Sequence, residues 1–269
     1  MEKLEHPLWI VEAVNAVLGP IVAAALAPFG FHLQGPEIIP NYIVMTLVIV
    51  VAITIMCLLV RSRLSVEHPS RFQILLEDGV VMMNGMIEEW IGPGSGRRYL
   101  PLISALGLFI LIGNYAGLVP GLMAPTSSIN VTLGCALTIW VYYHFEGIRT
   151  NGIVAYVKHF WAPPGAPWWI GFVMFPIEII SHTSRIMSLS LRLFGNIFGE
   201  ELVILILGSI IPFIIPVPMM LLGLITGGLQ AFIFVLLSII YLQGAVAVEH
   251  EHDQHGHDAP SGVHAPASA

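Results

Sequence analysis

Apolar residues run in long blocks along this chain, and the few polar positions inside those blocks are not scattered at random. Residues 38–60 form an apolar run that ends at Arg61-Ser62-Arg63. A helix needs about 20 such residues to cross a bilayer. Residues 100–122, interrupted by Asn114, and 129–147, followed by Arg149, predict two more spans. The stretch before 38 is less clean. Residues 7–31 are broken by Glu12, Asn15 and Pro20, which predicts an interfacial helix, with a span as the alternative. In 70–92, Leu75, Leu76, Val80, Met83 and Met86 mix with Glu77, Asp78, Glu88 and Glu89, the pattern of an amphipathic surface helix. Glycine-rich 92–96, the turn 123–128 and the connector 150–167 separate these elements.

From 168 to 211 no loop-like composition appears. One helix of that length is about 65 Å long, against a hydrocarbon core of about 30 Å, so it must tilt by about 60°. Pro212, Pro216 and Pro218 mark a turn, and 219–248 predicts a second long helix of about 45 Å. The competing arrangement folds 168–211 into two upright helices turning at Gly195-Asn196, which would put the C-terminus outside. The fold class is therefore all-α: a polytopic membrane protein with upright spans plus two long, strongly tilted, near membrane-parallel helices forming a hairpin.

Composition agrees with a membrane chain: 56% of residues are hydrophobic and 10% charged, where soluble domains carry about 25%. No basic face suggests nucleic acid. Cys57 and Cys135 lie in apolar segments and read as packing residues without metal-ligand spacing. The acidic opening Met1-Glu2-Lys3-Leu4-Glu5 does not look like a cleavable signal. Arg61, Arg63, Arg71, Arg97 and Arg98 share one loop, which predicts that loop, with Arg149 and Lys158, to be cytoplasmic. The N-terminal segment 1–37 is then extracytoplasmic. The 249–269 tail is cytoplasmic; its mixed His and acidic residues predict a solvated, disordered segment, with Zn or Ni binding as the alternative.

The polar residues of 168–211 carry the chemistry. At about 100° per residue, and with Glu178 as zero, His182 falls near +40°, Arg185 near −20°, Arg192 near −40°, Asn196 near 0° and Glu200 near +40°. Glu201 lies off this arc, near 140°. Lipid cannot solvate such a stripe, so it must face protein or a water-filled cavity. Arg192 is the sharpest signal, because a guanidinium at mid-bilayer costs a few kcal/mol and cannot shed its charge. The bland reading is an interhelical network that only orders the bundle. A stripe this rich in ionisable groups points instead to a proton or ion path. On the facing helix Thr226 and Gln230 share one face and can meet it.

Leu191-Arg192-Leu193-Phe194-Gly195-Asn196 with Glu201-Leu202 resembles the signature of subunit a of F-type ATP synthases. Leu229-Gln230-Ala231-Phe232-Ile233-Phe234 with Tyr241-Leu242, and Pro125-Thr126-Ser127-Ser128-Ile129-Asn130-Val131-Thr132, resemble two further family segments. The resemblance spans roughly 40–248. It implies a non-catalytic stator subunit with no cofactor and no resident metal. Two near membrane-parallel helices would pack on a ring of c subunits, and the b subunits of a peripheral stalk would hold the stator in the bacterial inner membrane. It implies that Arg192 is the essential arginine facing a ring carboxylate. It also implies that Asn196, Glu201, Gln230 and Glu178 belong to the arginine's surroundings and the channel. Where some relatives pair a Gly with a His, this chain has Glu200 with Gly223, which looks like a swap of the ionisable group between helices. Ser128 stands where some relatives carry an Asp and is given no proton role. Asn114, Glu178, His182, Glu200, Glu201 and Gln230 are together expected to line the periplasmic entry half-channel; the coupling ion, H⁺ or Na⁺, depends on the ring. The runner-up, a transporter or redox-pump subunit, would show inverted repeats or haem-binding His pairs; only His144 and His182 fall within the spans.

Overall fold

The computed structural model describes residues 9–26, 39–65, 68–119, 122–154, 156, 161, 168–210 and 216–246. Seven long helices account for nearly all of them, with no strand among the described residues: α1 (Trp9–Leu26), α2 (Asn41–Ser62), α3 (Arg71–Ile91), α4 (Gly96–Ala116), α5 (Ile129–Asn151), α6 (Gly171–Ile210) and α7 (Pro216–Val246). The tail beyond 246, the start of the chain and most of the 155–167 connector lie outside the described residues.

Local chemistry sets the helix ends. The Ser70 hydroxyl accepts the backbone N–H of Gln73 at 3.2 Å and opens α3, satisfying a donor the helix cannot. Gly92 closes α3 at φ 128° and Gly152 closes α5 at φ 76°, a region closed to most side chains. A single 3₁₀ turn, Pro125–Ser127, reverses the chain between α4 and α5. Of the prolines that predict the turn, Pro216 and Pro218 sit in the first turn of α7, where the missing N–H has no intrahelical partner to lose, and Pro212 lies outside the described residues.

Among the described residues four helices, α2, α4, α6 and α7, are long and apolar enough to cross a membrane. At 23 residues α5 is long enough too, but it is more polar, and its polar groups Thr132, Tyr143 and Glu146 are buried within the protein. Large apolar side chains point outward, among them Ile55, Leu58 and Leu59 on α2. That is the inverse of a soluble bundle, and lipid covers such a surface.

The core joins α2, α3, α4, α5, α6 and α7 through Ile49, Ile87, Ile110, Ile139, Leu193 and Phe234. Gly107 lets α4 and α7 approach closely; a Cβ there would lie 2.6 Å from Val235 Cγ2. A smaller cluster of Val11, Ile39 and Val44 attaches α1 to α2, and Asn15 clamps it by hydrogen bonds in both directions with the backbone of Ile39. The amphipathic segment forms α3 and seats Ile87, with Met83 and Met86, against the bundle, leaving Glu77, Asp78 and Glu89 exposed.

The two-helix alternative for 168–211 is overturned: α6 runs unbroken for 40 residues through Gly195-Asn196. It is about 60 Å long and α7, at 31 residues, about 46 Å. The contacts Asn196–Gln230 and Glu200–Gly223 pair rising with falling residue numbers, so the two form an antiparallel hairpin.

Candidate functional site

The polar stripe of α6 lies at the edge of its buried face. Leu189, Ser190, Leu193 and Ile197 point into the core, and the Ser190 hydroxyl lies 3.1 Å from that of Thr132 on α5. The stripe residues flank this seam and fall into two clusters at opposite ends of the bundle.

The first cluster lies toward the α4–α5 turn. The Glu200 carboxylate fills the space that a Gly223 side chain would occupy, so glycine at 223 is what lets a glutamate stand at 200. Its Oε1 is buried without a hydrogen bond. Glu200, Asn196 and Thr226 supply the polar lining of a cavity of about 250 Å³, room for roughly eight waters at liquid density. The Asn196 amide donates to Gln230 Oε1 at 2.9 Å; Gln230 is itself buried, with Nε2 unpaired. Glu201, off the arc as its angle requires, turns to the α4–α5 turn and accepts the Ala124 N–H at 3.4 Å. Asn114 is buried and bridges three elements: it donates to the Gly227 carbonyl at 3.0 Å and accepts from the Thr126 hydroxyl at 2.8 Å.

The second cluster lies at the end that carries Arg98 and Arg149. His182 Nε2 is 3.2 Å from Glu178 Oε1, and Nδ1 is 2.8 Å from the Tyr143 hydroxyl. His144 packs against both His182 and Tyr143, and the Arg185 guanidinium lies over the Tyr241 ring. The residues expected to line one entry path are thus divided. Glu178 and His182 stand about 33 Å and about 27 Å along α6 from Glu200, on the far side of Arg192.

Arg192 lies between the clusters, about 15 Å along the helix from His182 and about 12 Å from Glu200. It is exposed and makes no hydrogen bond or ion pair with any described residue. Its exposed neighbours one turn away on α6 are Ser188, Gly195 and Asn196, none of which carries a charge. A bare guanidinium on a membrane-embedded helix with no counter-charge beside it calls for a partner outside this chain.

Sequence reasoning missed Tyr143 and Glu146. Tyr143 gave no signal, because a tyrosine within an apolar span is ordinary. Glu146 is buried at the second cluster's end and pairs with Arg98, with Arg149 at 4.0 Å. The Glu146/Arg149 spacing, one helical turn near the end of a span, was the available sign.

Fold and site define a class: a multispanning helical membrane protein built around a long two-helix hairpin with a charged stripe. The family described as ATP synthase A chain matches residues 42–243. The chain is 40% identical over 227 residues to ATP synthase subunit a of Citrifermentans bemidjiense, covering 84% of this chain and 94% of that protein. It is 38% identical over 245 residues to the subunit a of Geobacter sulfurreducens (91% and 99%) and 40% identical over 207 residues to that of Helicobacter hepaticus (77% and 90%). This chain belongs to the ATP synthase A chain family.

Proposed function

We propose that this chain is the stator that carries protons between the two faces of a bacterial inner membrane and a rotating c-subunit ring, held in place by the b subunits of a peripheral stalk. It has no catalytic residue of its own for ATP chemistry. The observation that carries the reading is Arg192, exposed and without a partner among the described residues, between two polar clusters at opposite ends of one hairpin. By the positive-inside rule the Arg98/Arg149 end is cytoplasmic and the N-terminus periplasmic. The Glu200 cluster, with Asn196, Gln230 and Thr226 around its cavity and Glu201 and Asn114 behind it, is then the periplasmic access path. The Glu178–His182 cluster belongs to the cytoplasmic one. This revises the single entry path expected from sequence.

A proton arriving through the Glu200 cavity neutralises a ring carboxylate, and the neutral acid turns into lipid far more cheaply than the ion. After most of a turn the acid meets Arg192. The fixed positive charge favours the ionised form, and the proton leaves to the other side. Arg192 also blocks a direct route between the two paths, because a proton would have to pass a permanent cation. Each proton falling through 100 mV releases about 2.3 kcal/mol, so several must pass for one ATP.

Arg192→Ala in the assembled complex tests this. Coupled ATP synthesis is expected to be lost; synthesis persisting at the wild-type rate would overturn the assignment. The redox-pump alternative finds no support in the geometry: the His144 and His182 rings contact each other directly, 5.0 Å between centroids, leaving no space for a macrocycle between them.

A further inference from the structure

Nothing in the ring-and-arginine scheme explains why a buried tyrosine on α5, a histidine on α6 and a carboxylate one turn away should form an unbroken hydrogen-bonded chain. We propose that Tyr143, His182 and Glu178 form a proton relay that connects the interior of the bundle with the aqueous phase at the Arg98/Arg149 end. The proposal rests on the reading of this protein as a proton-conducting stator and names the groups that serve one of its two paths.

Three observations carry it. The links are of hydrogen-bond length: 2.8 Å from the Tyr143 hydroxyl to His182 Nδ1 and 3.2 Å from His182 Nε2 to Glu178 Oε1. Exposure rises along the chain. Tyr143 is 2% exposed, whereas the side chains of His182 and Glu178 are 12% and 28% exposed. The relay therefore has a buried end and a more exposed end. Both nitrogens of one imidazole are engaged by different groups, the arrangement in which a histidine can take a proton on one side and yield one on the other.

The step balances without any other reactant. Glu178 as a carboxylate can only accept, which puts the ring proton of neutral His182 on Nε2; Nδ1 then accepts from the Tyr143 hydroxyl. A proton delivered to the Tyr143 oxygen from the interior lets its own hydroxyl proton pass to Nδ1. The Nε2 proton passes to Glu178, which releases it to water. One proton enters and one leaves. His182 is left as the Nδ1–H tautomer, and a turn of the ring, which carries that proton to the Glu178 side and presents the bare nitrogen to Tyr143, readies the relay for the next proton. The other charged or titratable groups around His182 are Arg185 on its own helix, His144 and Tyr156 on the α5 side and Tyr241 on α7. His144, which packs against both Tyr143 and His182, has its Nδ1 engaged by the Trp140 carbonyl at 2.9 Å.

The test uses the complete membrane sector in proteoliposomes, with the catalytic sector stripped off and passive proton uptake driven by a potassium diffusion potential. His182→Gly is expected to slow uptake by about tenfold or more, and added imidazole to restore it, since Glu178 leaves the site open to water. Wild-type uptake in an assembled His182→Gly complex, or a loss that imidazole does not relieve, would overturn the relay. Should His182→Gly fail to assemble, Tyr143→Phe decides: it keeps the ring and its packing and removes only the hydroxyl. Slowed uptake supports the relay and wild-type uptake overturns it. Arg192→Ala separates the two levels, because retained coupled synthesis in that variant defeats the parent reading whatever the relay variants do.

Discussion

At the scale of single residues, Glu200 and Gly223 act as one unit, since the carboxylate occupies the volume that any side chain at 223 would take. Gly223→Val must displace Glu200 into apolar surroundings or push the helices apart, and is expected to destabilise the protein by about 1–3 kcal/mol. Removing the carboxylate as well makes room, so Glu200→Ala/Gly223→Val should be more stable than Gly223→Val alone, with a coupling of about 1 kcal/mol or more. Thermal unfolding of the purified complex measures this, and additive effects would refute the shared volume. Arg98 and Glu146 predict an asymmetry. Glu146 is almost fully buried while Arg98 is 40% exposed. Arg98→Ala strands a buried carboxylate, partly relieved by Arg149, whereas Glu146→Ala frees an arginine that water can reach. Arg98→Ala should therefore unfold at the lower temperature, and the reverse order would count against the ion pair's burial. Arg192, Glu200 and the Gln230–Asn196 pairing face were legible in the sequence because charge inside an apolar block has no ordinary explanation. The Tyr143–His182 bond was not, because it depends on the azimuth of α5 against α6, which no local pattern records.

At the scale of elements, the length of the apolar blocks was enough to require a hairpin of tilted helices, and the continuity of α6 follows from its composition. Gly195-Asn196 is a weak break, with helix-forming residues on both sides and no proline within two turns. What the sequence missed is which end of α6 each polar residue serves, since a helical wheel discards position along the axis. On the wheel His182 and Glu200 coincide; on the helix they lie about 27 Å apart. Gly195→Pro would remove a backbone hydrogen bond and kink α6 between the clusters, costing about 3 kcal/mol. It should abolish proton conduction although no polar group is altered. Passive uptake in vesicles with normal amounts of the protein checks this, and wild-type conduction would show that a straight α6 is not required.

At the scale of the whole molecule, the helical core presents an outer face rich in exposed leucine, isoleucine and valine, and Arg192 stands exposed on α6 with no ion pair to any described residue. The polar clusters lie toward opposite ends of α6, with Arg192 between them. Under the proposed function such a protein conducts nothing alone: the path would be closed in the middle and completed by an acid carried past on another chain. Disulfide trapping tests that directly. In an Arg192→Cys variant, with a second cysteine placed beside the membrane-embedded carboxylate of the ring subunit, oxidation should join the two chains in native membranes. Failure to join, with the introduced thiol instead modified by lipid-soluble maleimides at the same rate whether the ring is present or absent, would contradict the placement of Arg192 against the rotor.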